Sequence, residues 1–253
     1  MKITLLGTGT SCGVPVLGCE CEVCTSTDAH DKRMRCSALV ETETTRLLID
    51  CGPDFRQQML SQKFRRIDGI LITHSHYDHV GGLDDVRPYC AFGDIDVYAD
   101  ARASAGLHEM LPYCFATEKY PGVPQIRLNT ITARIPLRIG DIDVMPVEVM
   151  HGQMPISGYR FGRFAYITDM KTMADAELPY LNGVDTLVVN ALRFTKPHHS
   201  HQLVDDAIAF SRRVGARRTL FIHVNHHIGL HEDVCAMLPE GFELAYDGQI
   251  IEV

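Results

Sequence analysis

Gly69-Ile70-Leu71-Ile72-Thr73-His74-Ser75-His76-Tyr77-Asp78-His79 is the stretch on which the fold of this chain turns. Its first five residues form a continuous apolar run, the pattern of a strand buried on both faces. Directly behind it come four metal-competent side chains, His74, His76, Asp78 and His79. A single histidine after a strand is usually structural. Four ligand-type groups this close cannot all be packed in a core, because each buried polar atom would need its own partner. In an extended or turning segment alternate residues project to one side. His74 and His76 can therefore serve one metal while Asp78 and His79 turn to a neighbouring one. Imidazole plus carboxylate suits Zn, Mn or Fe(II). Gly81-Gly82 follows as a turn.

Short apolar runs alternate with turn signals on both sides of this segment. Strands are expected at Ile3–Leu6, Ala38–Glu41, Arg46–Asp50, Gly69–Thr73, Asp96–Ala99, Asp143–Val149, Gly158–Phe161, Phe164–Thr168, Thr186–Asn190, Arg218–His223 and Ile250–Val253. Helices are expected at Pro53–Phe64, with proline in the first turn, and at Gln202–Val214, with Ser200 as the cap and Gly215 as the stop. Ala101–Met110, Met173–Leu181 and Glu232–Leu238 are further helical stretches. No repeat, low-complexity segment or linker interrupts the pattern, so residues 1–253 are read as one α/β (α+β) domain of sheets covered by helices. The glycines of Gly7-Thr8-Gly9-Thr10-Ser11-Cys12-Gly13 fit neither the dinucleotide nor the P-loop spacing. A turn past a metal site suits them better.

Hydrophobic residues make up 45% of the chain and charged ones 22%, enough to bury a full core without disulfides. The net charge is −8 with neutral histidines, which opposes nucleic-acid backbones. Lys63-Phe64-Arg65-Arg66 and Arg212-Arg213 are short basic runs and read as solvated surface. The N-terminus, Met1-Lys2-Ile3-Thr4-Leu5-Leu6-Gly7, is a strand running into a turn rather than a signal peptide. No apolar stretch is long enough to span a membrane. The nine cysteines are odd in number, with three clustered at positions 19, 21 and 24, which favours metal ligation over disulfides and a cytoplasmic location.

Further ligands must come from distant strands. His151 ends the apolar run Val144–Met150, Asp169 ends Phe164–Thr168, and His223 ends Thr219–Ile222. All three fall just past a strand, on what would be one rim of the sheets.

The HxHxDH run with these strand-end residues resembles the metallo-β-lactamase superfamily. The resemblance implies a four-layer αβ/βα sandwich and a binuclear centre. It implies that His74, His76 and His151 hold the first metal, that Asp78, His79 and His223 hold the second, and that Asp169 bridges both. A hydroxide on such a pair is the implied nucleophile, so no serine or cysteine nucleophile is required. Asp50 resembles the family's early aspartate; its role would be to orient a ligand imidazole, with a plain turn residue as the equal alternative.

Cys19-Glu20-Cys21-Glu22-Val23-Cys24 supplies three thiols that can fill most of a tetrahedral zinc shell, and His226 is the natural fourth ligand. This cluster, with His223-Val224-Asn225-His226, resembles the phosphoribosyl cyclic phosphodiesterases of the carbon–phosphorus lyase pathway. So do Leu6–Pro15, Asp50–Arg56 and Ala245-Tyr246-Asp247-Gly248. The pyrroloquinoline-quinone accessory proteins share a similar cysteine site. Lys196-Pro197-His198-His199-Ser200-His201 precedes the expected helix, which would put His201 in its first turn, where an anion is favoured. By resemblance to the family's phosphodiesterases and ribonucleases Z, which place a catalytic histidine six residues before a helical alanine, His201 pairs with Ala207. His201, its neighbour His198, and Asp78 are the candidate catalytic groups, with His201 stabilising phosphoryl charge or protonating the leaving oxygen. His30, His108, His227 and His231 read as surface or core residues.

The expected function is a binuclear metal-dependent phosphodiesterase acting on a small cyclic or nucleotide-like diester, with Mn, Zn or Fe in the pair and one structural Zn. The alternatives are a ribonuclease Z-type tRNA 3′ endonuclease and a non-hydrolytic accessory protein of cofactor biosynthesis. The interval between His151 and Asp169 leaves no room for a tRNA-gripping arm, and the acidic charge opposes tRNA. The expected partners are a small diester and a second copy of the chain as a homodimer, with neither membrane nor nucleic acid.

Overall fold

Within Arg46–Ile49, Leu47 and Ile49 face one way and Leu48 the other, and all three are fully buried. A strand that is apolar on both faces must be covered on both. The computed structural model, which describes residues 1–253, meets that demand with two stacked sheets, each backed by helices. In chain order the strands are β1 (Lys2–Gly7), β2 (Ser37–Glu41), β3 (Arg46–Ile49), β4 (Gly69–Leu71), β5 (Ile95–Ala99), β6 (Ile126–Thr130), β7 (Leu137–Ile139), β8 (Ile142–His151), β9 (Met154–Phe161), β10 (Phe164–Ile167), β11 (Thr186–Asn190), β12 (Arg218–Ile222), β13 (Phe242–Leu244) and β14 (Ile250–Glu252).

One sheet has the order β14-β1-β2-β3-β4-β5-β6 and the other β13-β12-β11-β10-β9-β8-β7. Each is antiparallel in one half and parallel in the other: β3 to β6 run parallel, and so do β10 to β13. Leu47, Ile49 and Leu71 meet Tyr159, Phe164, Tyr166 and Leu220 between the sheets. Leu48, Ile70 and Ile72 pack outward against Phe55, Met59 and Leu107, and Val147, Val189 and Phe221 pack outward against Val204, Ala207 and Phe210. These three apolar layers separate four layers of backbone, the expected αβ/βα sandwich. The parallel strands end on one rim, where open α/β sheets gather ligand groups.

The expected strands occur with boundaries shifted by a few residues at most, except that Asp143–Val149 and Gly158–Phe161 extend into the long hairpin β8–β9. β6, β7 and β13 were not expected. All three are sheet edges, and edge strands lack the continuous apolar run of a central one; β6 exposes Arg127 and half-exposes Asn129. Ala101–Met110 is helical as expected. Pro53–Phe64 is helical only over Phe55–Leu60, and Met173–Leu181 contains a 3₁₀ turn at Asp175–Leu181.

The helix expected at Gln202–Val214 begins at Val204, and Ser200 is not its cap. Leu203 is the N-cap, and its backbone N–H donates to the Asp206 carboxylate at 3.1 Å. His201 therefore precedes the helix instead of occupying its first turn. Asp205 and Asp206 bring negative charge to that end of the helix, which opposes a further anion there.

Two glycines allow the loops at the rim to close on each other. A Cβ on Gly52 would lie 2.1 Å from the Asp78 carbonyl oxygen, and one on Gly82 would lie 2.1 Å from that of Gly52. Cys51 N–H donates to His79 O at 2.7 Å and Gly82 N–H to Cys51 O at 2.8 Å, so the loop after β3 is laced to the histidine-rich loop after β4.

Candidate functional site

Five strand exits deliver side chains to one place on the rim. Asp50 follows β3, the His74–His79 loop follows β4, His151 ends β8, Asp169 lies just past β10, and His223 follows β12. The structure brings three sets of ligand atoms within 4.8 Å of one another: His74, His76 and His151; Asp78, His79 and His223; and His74, His79 and Asp169. A further set joins His151 and Asp169 to His201. His79, Asp169 and His223 are almost fully buried, while His76 is exposed. The backbone reaches this arrangement under strain. Asp50, Asp169 and His223 have φ of 58°, 56° and 53°, the left-handed region that non-glycine residues rarely adopt.

The hydrogen bonds around the cluster fix which imidazole nitrogen faces it. Asp50 Oδ2 accepts from His79 Nδ1 at 2.7 Å, which leaves Nε2 of His79 aimed inward. His151 Nδ1 donates to the Asp169 carbonyl oxygen at 2.8 Å. His74 Nδ1 lies 3.0 Å from Thr73 Oγ1, and its Nε2 lies 3.0 Å from His76 Nδ1. Inside the cluster imidazole nitrogens and carboxylate oxygens face one another. His79 Nε2 is 3.2 Å from both Asp78 Oδ2 and Asp169 Oδ2, and His223 Nε2 is 3.1 Å from Asp169 Oδ1. Yet His79 Nε2, His223 Nε2 and His201 Nδ1 are buried without a hydrogen-bond partner.

Buried imidazole nitrogens without a hydrogen-bond partner are costly, and a cation among them and the carboxylates would make them ligands. The donor set, imidazole and carboxylate, is that of Zn, Mn or Fe(II). The residues thus fit divalent metal. The electrostatics agree. Burial would make the His79 imidazole less basic, but the Asp169, Asp50 and Asp78 carboxylates outweigh it and hold its pKa well above the usual value. The site attracts positive charge.

His201 closes the cluster on its outer side. Its ring centroid lies 4.8 Å from those of His151 and His223 and 4.9 Å from that of His198. Burial, then the neighbouring His223, pushes its pKa down to about 3, against the pull of Asp169. Beyond it opens a cavity of about 340 Å³, lined among others by Ser11, Arg193, His198, His201 and His227. None of its lining residues is acidic.

The second cluster is separate. Cys19, Cys21 and Cys24 place their sulfurs 3.2, 3.3 and 3.4 Å from His226 Nδ1. A tetrahedral zinc with Zn–S near 2.3 Å and Zn–N near 2.0–2.1 Å has S···N edges of about 3.5 Å. The Val16 N–H donates to Cys24 Sγ at 3.4 Å. Burial raises the Cys24 thiol to about 11, so a metal would have to displace its proton.

Thr73 and Asn190 were not singled out from the sequence. Asn190, fully buried at the end of β11, accepts from Met170 N–H at 2.7 Å and donates to Met170 O at 2.9 Å, clamping the residue after Asp169. A polar residue closing an apolar strand is the signal that could have found it. Of the remaining histidines, His30 and His231 pack with Tyr246, and His227 lines the cavity.

A family model described as a β-lactamase superfamily domain matches residues 45–224. A solved structure of a diphosphatase from the PhnP family is 37% identical, with a TM-score of 0.91, covering 99% of this chain and 97% of that one. An octanoyltransferase of Porphyromonas gingivalis is 43% identical over 98% of this chain, but the chain spans only 51% of that protein's length. Zn²⁺-bound PqqB from Methylobacterium extorquens superposes over 100% of both chains with a TM-score of 0.82 at 21% identity, a likeness of fold alone.

Proposed function

This chain belongs to the β-lactamase superfamily, and from that premise we propose that it hydrolyses a small phosphate diester with a pair of divalent cations. It is a metal-dependent hydrolase, and its likeness to the PhnP-family diphosphatase supports a phosphodiesterase. The octanoyltransferase of Porphyromonas gingivalis is about twice this length, and this chain matches only about half of it. The observation that carries the reading is the set of buried imidazole nitrogens that face Asp169 without a hydrogen-bond partner.

In this reading His74, His76 and His151 would hold one ion and Asp78, His79 and His223 the other, with Asp169 available to both. When bound, such a pair neutralises phosphoryl charge and supplies a nucleophile at neutral pH. The chain's own residues do the rest. Asp50 orients His79. His201, neutral in the free protein because burial depresses its pKa, donates an N–H to a phosphoryl oxygen as charge develops there. A bound phosphate raises its basicity again, which would let it protonate the leaving oxygen. His198 stands next to it. The cavity beyond, free of carboxylates, seats the rest of an anionic substrate. Its size lies near the lower end of the ~300–1,000 Å³ typical of small-molecule sites. Cys19, Cys21, Cys24 and His226 would hold a structural zinc. Residues 1–253 act as one domain, in the cytoplasm.

Substrate size follows from charge and from the β8–β10 segment. The residues between His151 and Asp169 are spent on the tight β8–β9 hairpin and on β10, with none left for an arm. A long polyanion needs many Lys or Arg contacts, and the chain carries a net −8. Manganese- or zinc-loaded protein should hydrolyse bis-p-nitrophenyl phosphate or a cyclic phosphate with weak salt dependence, and cleave pre-tRNA slowly or not at all. Efficient tRNA 3′ cleavage with steep salt dependence would overturn the small-diester reading.

A further inference from the structure

We infer that Thr73 is a positioning residue: its hydroxyl relays the Asp50 hydrogen bond to His74, so that one buried carboxylate orients an imidazole in each half of the metal cluster. The inference rests on the metal-pair reading above.

Asp50 and Thr73 are both fully buried. The Asp50 carboxylate can only accept. Its Oδ1 accepts from the Thr73 backbone N–H at 2.8 Å. Its Oδ2 accepts from the Thr73 hydroxyl at 2.8 Å and from His79 Nδ1 at 2.7 Å. A hydroxyl has one proton, and Thr73 gives it to Asp50. Toward His74, 3.0 Å away, Oγ1 can therefore only accept, which requires Nδ1–H on His74. The lone pair of His74 is then on Nε2, the atom that faces His76. Asp50 sets His79 directly and His74 through Thr73, and these two histidines belong to different halves of the cluster.

The relay is held from the opposite sheet. Tyr159 donates its hydroxyl proton to Ile72 O at 2.5 Å, and Ser157 N–H donates to Thr73 O at 2.9 Å. With backbone N–H, carbonyl and hydroxyl all engaged, Thr73 has a single orientation. A valine at this position would keep the shape but leave His74 Nδ1 facing a methyl group. Removing a partner that orients a ligand imidazole typically weakens metal binding about 10–100-fold.

Two measurements test this. Stepwise metal affinity is read by competition with a chromogenic chelator for wild type, Thr73→Val and Thr73→Ser. One of the two ions should bind Thr73→Val about 10–100-fold more weakly while the other keeps its affinity within threefold. Thr73→Ser should stay within threefold for both, which a merely structural role would not predict. Wild-type affinities for both ions in Thr73→Val, or equal weakening of both, would overturn the relay. Imidazole ¹⁵N shifts of the metal-loaded wild type need no variant, and should show His74 and His79 both protonated at Nδ1. A His74 bare at Nδ1 would overturn it as well. The outcomes separate this inference from the proposed activity. A wild type that binds two ions, with the expected split in Thr73→Val, upholds the relay even if no diester is hydrolysed. A wild type that binds no ion pair removes the reading on which both rest.

Discussion

The two candidate metal clusters of this protein are built in opposite ways. Cys19, Cys21 and Cys24 come from one short segment around the helix Glu22–Thr25, and only His226 is brought from afar. That segment is partly exposed and contributes just a small apolar cluster around Val14 and Val23. The His/Asp cluster is gathered from strand exits of both sheets, is mostly buried, and holds three non-glycine residues in the left-handed region. Four ligands close a tetrahedral shell and leave nothing for a substrate, whereas the proposed seven ligands shared by two ions would leave positions open. The closed cluster can therefore stabilise a loop that has little core of its own. In the proposed reading the open one reacts, and the rigid sandwich holds its strained backbone.

The sharpest test of this contrast is selective metal removal. A moderate chelator should strip the pair and take turnover to background while one ion per chain remains. Metal analysis before and after checks it; loss of all ions together would erase the distinction. Next in size, His201→Ala should keep both ions of the pair and lose about 10²–10⁴-fold in kcat on a model diester, the usual worth of a positioned proton donor. Wild-type turnover in the variant would move that role to His198.

Cys21→Ser addresses the other side of the comparison. It should leave the pair loaded but lower Tm by roughly 10 °C, at about 2–4 °C per kcal/mol for a chain of this size. Unchanged Tm with its zinc gone would show that the closed cluster does not stabilise the fold. The smallest effect concerns Asp247, which clasps both ends of the cysteine-bearing excursion by accepting from Thr8 Oγ1 at 2.8 Å and Met34 N–H at 2.6 Å. Burial nevertheless raises its carboxyl to about 6, from an ordinary 3.8. Its proton is bound more tightly in the folded state, so the associated stability is full below about pH 4 and is lost as pH rises through 6. Between pH 4 and 8 the wild type should lose about 2 kcal/mol relative to Asp247→Asn in denaturant titrations. Parallel pH profiles would remove Asp247 from the account.

Much of the reactive cluster was legible because its core motif is local. His74, His76, Asp78 and His79 sit in one short run behind an apolar strand, and no packed core could absorb them. The cysteine triplet was legible for the same reason. The edge strands β6, β7 and β13 were not, since a strand covered on one side lacks the continuous apolar signal. Ser200 looked like a helix cap because serine favours that position. The Asp206 carboxylate, reaching back to Leu203 N–H, capped the helix three residues later and left His201 in the loop.

By itself the sequence determined the apolar runs, the acidic charge, the two ligand-rich motifs and hence the fold family. These are properties of residue type and short spacing, which hydrophobic burial and ligand chemistry read directly. Only the tertiary structure decided which distant groups meet: Asp50 with Thr73 and His79, Tyr159 with the β4 exit, Asp247 with Thr8 and Met34, and His201 with His151 and His223. The reason is geometric. Hydrogen bonds and ligand contacts form only where atoms lie about 3 Å apart in the right direction. For residues far apart in the chain, that separation is set by how two twisted sheets stack and not by any local pattern.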